Sequence, residues 1–286
     1  MTAIPYAEII GDPVAQSKSP SIYNFWLEKT GTQGDYRREY VPAAGLADYI
    51  AVRRRDADWR GCNVTMPHKQ AIMPLLDRLD PLAKRVGAVN TVVRRDDGTL
   101  DGYNTDAPGF LEPLQSLLAE QHLFRMARIT GTGGAARAIV SALSEENFVL
   151  VLAGRDTDKA ARLLDECATG NDHHVTALTH FAAPTDFQFD DREGCLDLII
   201  NASPLGMSGQ APLEFDLSHA PPGSVFYDIV TDPVKTPLLT DAASHGFPVI
   251  DGISMLIGQA RAAFEHFFSQ TAPAGFDAEL RERLIR

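Results

Sequence analysis

Arg128-Ile129-Thr130-Gly131-Thr132-Gly133-Gly134-Ala135-Ala136 is the stretch on which the fold turns. It reads as a strand end, a glycine-rich turn and the start of a helix running from about Ala135 to Leu143. That is the context a dinucleotide fingerprint requires. Gly131 permits the tight turn, Gly133 lets backbone approach a pyrophosphate, and Ala136 lets helix and strand pack closely. The helix N-terminus, with Gly134 and Ala135, offers N–H donors and the positive end of a dipole to phosphates. A second apolar strand, Phe148 to Ala153, follows at the expected distance. Leu196 to Ile200 and Ser224 to Val230 are further continuous apolar runs, typical of buried parallel strands. The expected architecture here is a Rossmann-type, doubly wound parallel sheet.

The second strand of that unit runs into Gly154-Arg155-Asp156-Thr157-Asp158-Lys159. An acidic residue at this point pairs with the ribose hydroxyls of NAD, whereas an arginine suits the 2′-phosphate of NADP. Arg155 and Lys159 therefore favour NADP, and Asp156 favours NAD. The planar guanidinium fork is the stronger phosphate partner, so NADP is expected, with NAD the alternative.

The 286 residues suit one large or two ordinary domains. A hydrophobic share of 44% and a charged share of 22% are those of a globular protein able to build a core without metal or disulfides. The net charge of −12 disfavours nucleic acid or an acidic membrane as partner and leaves a small molecule as the expected ligand. Cys62, Cys167 and Cys195 have no metal-type spacing, and their odd number argues against a disulfide framework. No signal-like N-terminus and no membrane-length apolar run are seen, so a cytoplasmic protein is expected.

N-terminal to the fingerprint lies a second α/β block. Ala7 to Gly11, Tyr36 to Val41 and Cys62 to Thr65 read as strands. About Ser21 to Thr30 and Gly45 to Arg54 read as helices, as does about Gln70 to Leu79 on its apolar residues Ile72, Leu75, Leu76 and Leu79. Asp97-Gly98 signals a hairpin. Asn63 and Thr65 alternate, so both face one side of their strand, and Pro67 suits a first helical turn. Lys69 stands just past this strand end, a frequent place for chemistry in α/β proteins. Ser17 and Ser19 either cap the following helix or, with its N–H groups, hold a carboxylate. Asn90 and Asp106 suit turns when each is read alone.

Gly61-Cys62-Asn63-Val64-Thr65-Met66-Pro67-His68-Lys69 resembles the Asn-Val-Thr-x-Pro-His-Lys signature of the shikimate dehydrogenase family. The resemblance runs from Gly11 to about Phe268. It covers Ser17-Lys18-Ser19-Pro20, Gly87-Ala88-Val89-Asn90-Thr91, Asn104-Thr105-Asp106, Asn201-Ala202-Ser203-Pro204-Leu205-Gly206-Met207 and the Gly252-to-Gln259 helix start. It implies a substrate domain of residues 1–108 completed by C-terminal helices in 251–286, a cofactor domain of 109–250, and a site between them. It also implies reversible, nicotinamide-dependent reduction of 3-dehydroshikimate to shikimate. Ser17, Ser19, Asn63, Thr65, Asn90, Thr231 and Gln259 would hold the substrate, with Ser203 and Gly252 on the cofactor side. Lys69 and Asp106 would serve the chemistry, Lys69 as the proton-transfer group or as an orienting one. The chain departs from the pattern at Gln16 and Tyr23, where the family often has His, and at Thr231, where it usually has Tyr. Gly154 and Asp156 depart from an Asn-Arg-Thr. Thr231 and Asp156 keep a quinate or amino-shikimate dehydrogenase open, and a non-catalytic cofactor-binding regulator is the rival of another class. A monomer or homodimer is expected.

Overall fold

The computed structural model describes residues 4–170, 172–189 and 192–285. The chain divides into two units, Met1–Asp106 with Ile257–Arg286, and Ala107–Leu256.

The first unit is built from β1 (Tyr6–Gly11), α1 (Ser19–Thr30), β2 (Asp35–Tyr40), α2 (Leu46–Arg53), β3 (Trp59–Val64), β4 (Arg78–Leu79), α3 (Pro81–Val86), β5 (Thr91–Arg94) and β6 (Leu100–Tyr103). Its sheet has the order β2-β1-β3-β5-β6-β4. β1 is parallel to β2 and β3, while β5 runs antiparallel to β3 and β6. The hairpin at Asp97-Gly98 forms, with Gly98 at φ 81°. Register separates the two faces. Glu8 and Cys62 are paired on one face, where Tyr49 and Arg53 of α2 bind the buried Glu8 carboxylate at 2.7 and 2.6 Å. Ala7, Tyr36 and Gly61, with Ile9 and Asn63, lie on the other. There Asn24 of α1 brackets the Tyr36 backbone, accepting from its N–H at 3.0 Å and donating to its carbonyl at 2.9 Å. Gly61 has φ 146°, and a Cβ on it would stand 2.0 Å from the Val92 carbonyl oxygen, so the strand crossing admits no side chain.

The expected helix over Gln70–Leu79 is not there. Residues 66–72 form successive turns, Met73–Leu75 is a short 3₁₀ segment, and the chain then enters β4. Pro74 supplies the reason: it lacks the N–H that a helix would need and disfavours the α conformation at Met73. The backbone leaves instead toward β6, with Asp77 N–H donating to Leu100 O at 3.0 Å. The apolar reading of that segment holds in a different form, since Ile72 is buried and Leu75, Leu76 and Leu79 pack against the same core cluster. Pro67 begins no helix, and the Met66–Pro67 bond is cis.

The second unit continues with α4 (Asp106–Leu111), α5 (Gln115–Leu118), β7 (Phe124–Thr130), α6 (Gly134–Glu145), β8 (Val149–Gly154), α7 (Thr157–Cys167), β9 (His174–Ala177), α8 (Leu178–Ala182), β10 (Cys195–Asn201), β11 (Val225–Asp228), α9 (Pro237–Ser244) and β12 (Val249–Ile250). The order β12-β11-β10-β7-β8-β9 is parallel at every ladder. This is the doubly wound order, with the first strand of the unit at the point where the winding reverses. Ala127, Ile129, Ile139, Leu150, Leu198 and Tyr227 share its core cluster.

α10 (Gly252–Phe268) and α11 (Asp277–Ile285) close the chain. α11 is tied back to α1: Lys18 Nζ donates to Leu284 O at 2.6 Å, and Lys29 pairs with Glu279 at 2.9 Å. Among the described residues, no helix is long and apolar enough to cross a membrane.

Candidate active site

Strand direction brings distant motifs of the first unit to one edge. Because β1 and β3 are parallel, Ser17–Ser19 and Thr65–Lys69 both follow carboxyl ends on the same side. β5 is antiparallel to β3, so Asn90 and Thr91 stand at its beginning on that side. β6 reverses again and delivers Thr105 and Asp106 there. Ligands of open α/β sheets bind beyond such strand ends.

At this edge Lys69 Nζ lies 2.5 Å from Asp106 Oδ2, although the residues are 37 apart in sequence. The two side chains are only 15% and 7% exposed. Asn90 Nδ2 donates to the other carboxylate oxygen at 2.9 Å and to Thr105 Oγ1 at 2.9 Å. The Asn90 amide cannot turn over freely, because its Oδ1 accepts from Thr105 N–H at 2.7 Å and from Thr91 Oγ1 at 3.1 Å. The backbone holds the parts in place: Val89 N–H donates to Lys69 O at 2.8 Å and Val64 N–H to Asn90 O at 2.8 Å.

Asn63, buried beside Asn90, spends its polar atoms inside the protein. Its Nδ2 donates to Thr91 Oγ1 at 3.0 Å and to Asn90 O at 3.4 Å, and its Oδ1 accepts from Tyr36 OH at 2.5 Å. His68 of the same motif is also internal, 1% exposed with Nε2 2.6 Å from Val41 O. Sequence reasoning left Tyr36 and Thr91 out of the site. Thr91 was visible as the last residue of its motif. Tyr36 carried no motif signal, since its contact crosses an intervening strand.

The cap position of α1 is Lys18, whose side chain makes no cap bond, while Ser17 Oγ accepts from the N–H of Ser19, the first residue of the helix, at 3.3 Å. The two hydroxyls are also 3.2 Å apart. Ser17 is half-buried and Ser19 buried. Arg38 donates to Ser17 O at 2.6 Å, which steadies the loop. Thr65 is half-buried at the end of β3, with its N–H on Ile10 O at 2.9 Å. Gln259, on α10, is 8% exposed and belongs to this unit, whereas Thr231 belongs to the other.

In the second unit Gly131 has φ 113°, and a Cβ there would meet Ala202 O at 2.6 Å. The turn therefore packs directly on the loop carrying Ser203. A Cβ on Gly133 would meet nothing within 4 Å, so backbone at that point faces open space. Gly134 and Ala135 open α6, whose first N–H groups have no partner within the helix. Asn201 ties the neighbouring loops together. Its Oδ1 accepts from Ser203 Oγ at 2.7 Å and Thr130 Oγ1 at 3.2 Å, and its Nδ2 donates to Asp228 Oδ1 at 3.0 Å. Asp228 also accepts from Val230 N–H at 3.0 Å and Thr236 Oγ1 at 2.7 Å. Burial pushes its carboxyl pKa above the ordinary value, against the pull of these donors. A Cβ on Gly252 would lie 2.4 Å from both Ile229 O and Val230 O, so it keeps α10 close to the β11 loop.

Arg155 and Lys159 are exposed at the end of β8 and the start of α7. Asp156 is the N-cap of α7, its Oδ1 accepting from Lys159 N–H at 2.9 Å. That bond commits one oxygen of the acidic group that argued for NAD. The turn, the free helix N-terminus and an exposed guanidinium at the next strand end fit a phosphorylated dinucleotide.

The wound parallel sheet with its glycine turn defines the second unit as a Rossmann-type dinucleotide-binding fold. A family model described as the shikimate dehydrogenase substrate binding domain matches residues 9–92. The chain is 47% identical over 284 residues to shikimate dehydrogenase (NADP(+)) of Sphingopyxis alaskensis, covering 99% of this chain and 98% of the relative. It is 42% identical over 266 residues to the enzyme of the same name from Paramagnetospirillum magneticum, covering 92% of each. The crystal structure of shikimate 5-dehydrogenase from Thermus thermophilus in complex with NADP(H) and shikimate superposes with a TM-score of 0.82 at 30% identity, over 98% of this chain and 100% of that one. The chain belongs to the shikimate dehydrogenase family.

Proposed function

We propose that this chain catalyses the reversible NADP-dependent reduction of 3-dehydroshikimate to shikimate. The observation that carries the reading is the Lys69–Asp106–Asn90 cluster at the strand edge, in a chain 47% identical to an NADP-dependent shikimate dehydrogenase. Ser17 and Ser19, with adjacent hydroxyls, hold the substrate carboxylate. Thr65, Asn90, Gln259 and Thr231 hold its hydroxyls, and Asn63 orients Thr91 and Asn90 from below. Lys69 Nζ gives a proton to the ketone oxygen during reduction and recovers one from the hydroxyl in the reverse direction. Asp106 fixes that ammonium with one oxygen while Asn90 holds the other, so the donor is aimed before substrate arrives. The nicotinamide cofactor supplies the hydride and accepts it in reverse. Gly131, Gly133, Gly134 and Ala135 receive its pyrophosphate, with Ser203 and Gly252 shaping the adjoining loops. Arg155 and Lys159 take the 2′-phosphate. The Asp156 cap leaves its second carboxylate oxygen without a bond among the described residues, so the preference for NADP rests on Arg155 and Lys159.

The protein works as a monomer or homodimer in the cytoplasm, a setting that suits the free, buried Cys62 and Cys167. The test is a panel of shikimate and quinate against NADP⁺ and NAD⁺, read by the near-ultraviolet absorbance of the reduced nicotinamide. Shikimate with NADP⁺ should give the highest kcat/KM. Preference for quinate would support the reading in which Thr231 leaves room for a bulkier substrate. No turnover with any pair, despite measurable NADP binding, would identify a regulator instead.

A further inference from the structure

The donor directions around Asn63 form a continuous chain. Tyr36 OH donates to Asn63 Oδ1, Asn63 Nδ2 to Thr91 Oγ1, Thr91 Oγ1 to Asn90 Oδ1, and Asn90 Nδ2 to Asp106 Oδ1. Every member is buried. A carboxamide has two ends of nearly equal shape, so only its partners decide which end faces which way. At Asn63 the Asn90 backbone carbonyl, which can only accept, lies 3.4 Å from Nδ2 and turns the nitrogen to that side, leaving Oδ1 to accept from the Tyr36 phenol and Nδ2 to donate also to Thr91. Thr91, already an acceptor, has one proton to give, and Asn90 Oδ1 at 3.1 Å is the nearer acceptor, with Thr105 Oγ1 at 3.3 Å beside it. Asn90 is held with its nitrogen toward the Asp106 carboxylate by two donors on its oxygen, the Thr105 N–H at 2.7 Å and the Thr91 hydroxyl at the end of this chain. The opposite orientation would set an amide oxygen against a carboxylate in a buried site.

A second phenol stands beside the first. Tyr23 stacks on Tyr36 with ring centroids 3.9 Å apart and planes 7° from parallel. It is fully buried, and its hydroxyl has no hydrogen-bond partner among the described residues. An unpaired buried hydroxyl is costly and calls for an explanation. Tyr23 lies one helical turn beyond Ser19 on α1, which puts it on the same face and toward the same edge of the sheet. Burial pushes the Tyr23 phenol well above its ordinary pKa, and Asn63 is near enough to its hydroxyl to oppose that rise without making a hydrogen bond of good geometry.

We propose that Tyr36 is a positioning residue for the proton-transfer pair, acting through Asn63 and Thr91 on Asn90 and Asp106, with Tyr23 as the reserve donor to Asn63. The catalytic part of this inference rests on the shikimate dehydrogenase reading; the geometric part does not. Tyr36→Phe removes one oxygen and keeps the stack on Tyr23, so the fold is retained. Because Thr105 N–H also holds Asn90 Oδ1, the loss is graded rather than complete.

The experiment pairs kinetics with selective ¹⁵N labelling of the seven asparagines, read through their side-chain NH₂ signals. Tyr36→Phe should shift the Asn63 and Asn90 signals and leave Asn201 unmoved. It should lower kcat by roughly two- to tenfold, the rate equivalent of one neutral hydrogen bond. The KM for cofactor should stay constant. Tyr23→Phe alone should change little, and the double variant should lose more than the product of the single losses. An unchanged Asn90 signal in both Tyr36→Phe and the double variant overturns the relay, even if the melting temperature falls. A shifted Asn90 signal with unchanged kcat overturns its role in the reaction. If the wild-type protein turns over no substrate, the functional reading fails, and the Asn90 signals still decide whether Tyr36 positions that amide.

Discussion

Replacing Lys69 with Met removes the ammonium while keeping most of the aliphatic stem. Asp106 then loses the 2.5 Å partner on Oδ2 and keeps Asn90 on Oδ1 alone. Removing one partner of a buried ion pair costs about 3–5 kcal/mol, because the remaining charge is left uncompensated. With Lys69 15% exposed, water reaches its side of the pair, and we expect the low end, about 3 kcal/mol. Asp106→Asn should cost a similar amount, since an amide oxygen turned to the ammonium sets its NH₂ against Asn90 Nδ2 and leaves the lysine charge uncompensated. The double variant holds no charge at the site and should be more stable than the sum of the single losses predicts, by about 1–3 kcal/mol of coupling. Both tryptophans of the chain, Trp26 and Trp59, are buried in the first unit, so their fluorescence during urea unfolding reports on this unit by itself. In parallel, kcat should fall by about 10²–10⁴ in Lys69→Met. Two groups that act together give losses well short of multiplicative in the double variant. A folded Lys69→Met enzyme with nearly full kcat would refute the proton-transfer role. Additive stabilities together with fully multiplicative rate losses would refute the coupling itself.

Arg155→Ala should weaken NADP by roughly 10- to 150-fold, the worth of one charge-assisted bond, and leave NAD nearly unchanged. Equal losses would mean that the guanidinium stacks on the adenine instead. Thr231→Tyr should raise kcat/KM for shikimate about two- to tenfold by restoring one neutral hydrogen bond. A fall with shikimate would count against a loose pocket, and a fall confined to quinate would favour a bulkier natural substrate. His266 stacks on Tyr103 at 4.2 Å, and burial, then the Arg95 charge, lower its pKa from the ordinary 6.5. The folded state therefore binds this proton less readily than the unfolded one. The His266 contribution is present above pH 6.5 and is lost as pH falls through that value toward the lower folded pKa. His266→Phe should accordingly gain stability relative to wild type as pH drops from neutrality, measured by first-unit unfolding at each pH; a constant difference would contradict the shift.

The parallel sheet of the second unit was legible because its strands are continuous apolar runs and its turn is written in glycine. Element ends in this unit differ from the expectation by a residue or two, the usual fraying of boundaries, whereas β3 of the first unit begins three residues before the expected Cys62. The Gln70–Leu79 segment was misread because Ile72, Leu75, Leu76 and Leu79 suit a helix and a turn-rich segment equally well when each buries one side. Pro74 was the stronger signal, and it acts through a missing N–H rather than through periodicity. The motifs named Lys69, Asn90 and Asp106, while their meeting depends on strand directions that no local pattern contains. The position of Asp156 after β8 suits a ribose partner, and it also caps α7 by an equally local rule, a side-chain oxygen reaching the N–H three residues on. Tyr36 escaped notice because its partner, Asn63, lies two strands away.

The first unit is discontinuous in the chain: it needs Ile257 onward, and the Lys18–Leu284 and Lys29–Glu279 contacts tie α1 to that returning segment. The second unit is one uninterrupted stretch. During synthesis, domains commonly fold as units beginning from the N-terminus. Here that order is reversed for completion. The segment bearing Lys69 and Asp106 leaves the ribosome first, yet cannot gain its α1–α11 contacts until the whole dinucleotide-binding unit has been made. The nascent chain thus carries a finished cofactor fold beside an unfinished catalytic one, and the buried face of α1 is the surface on which a chaperone would act in that interval.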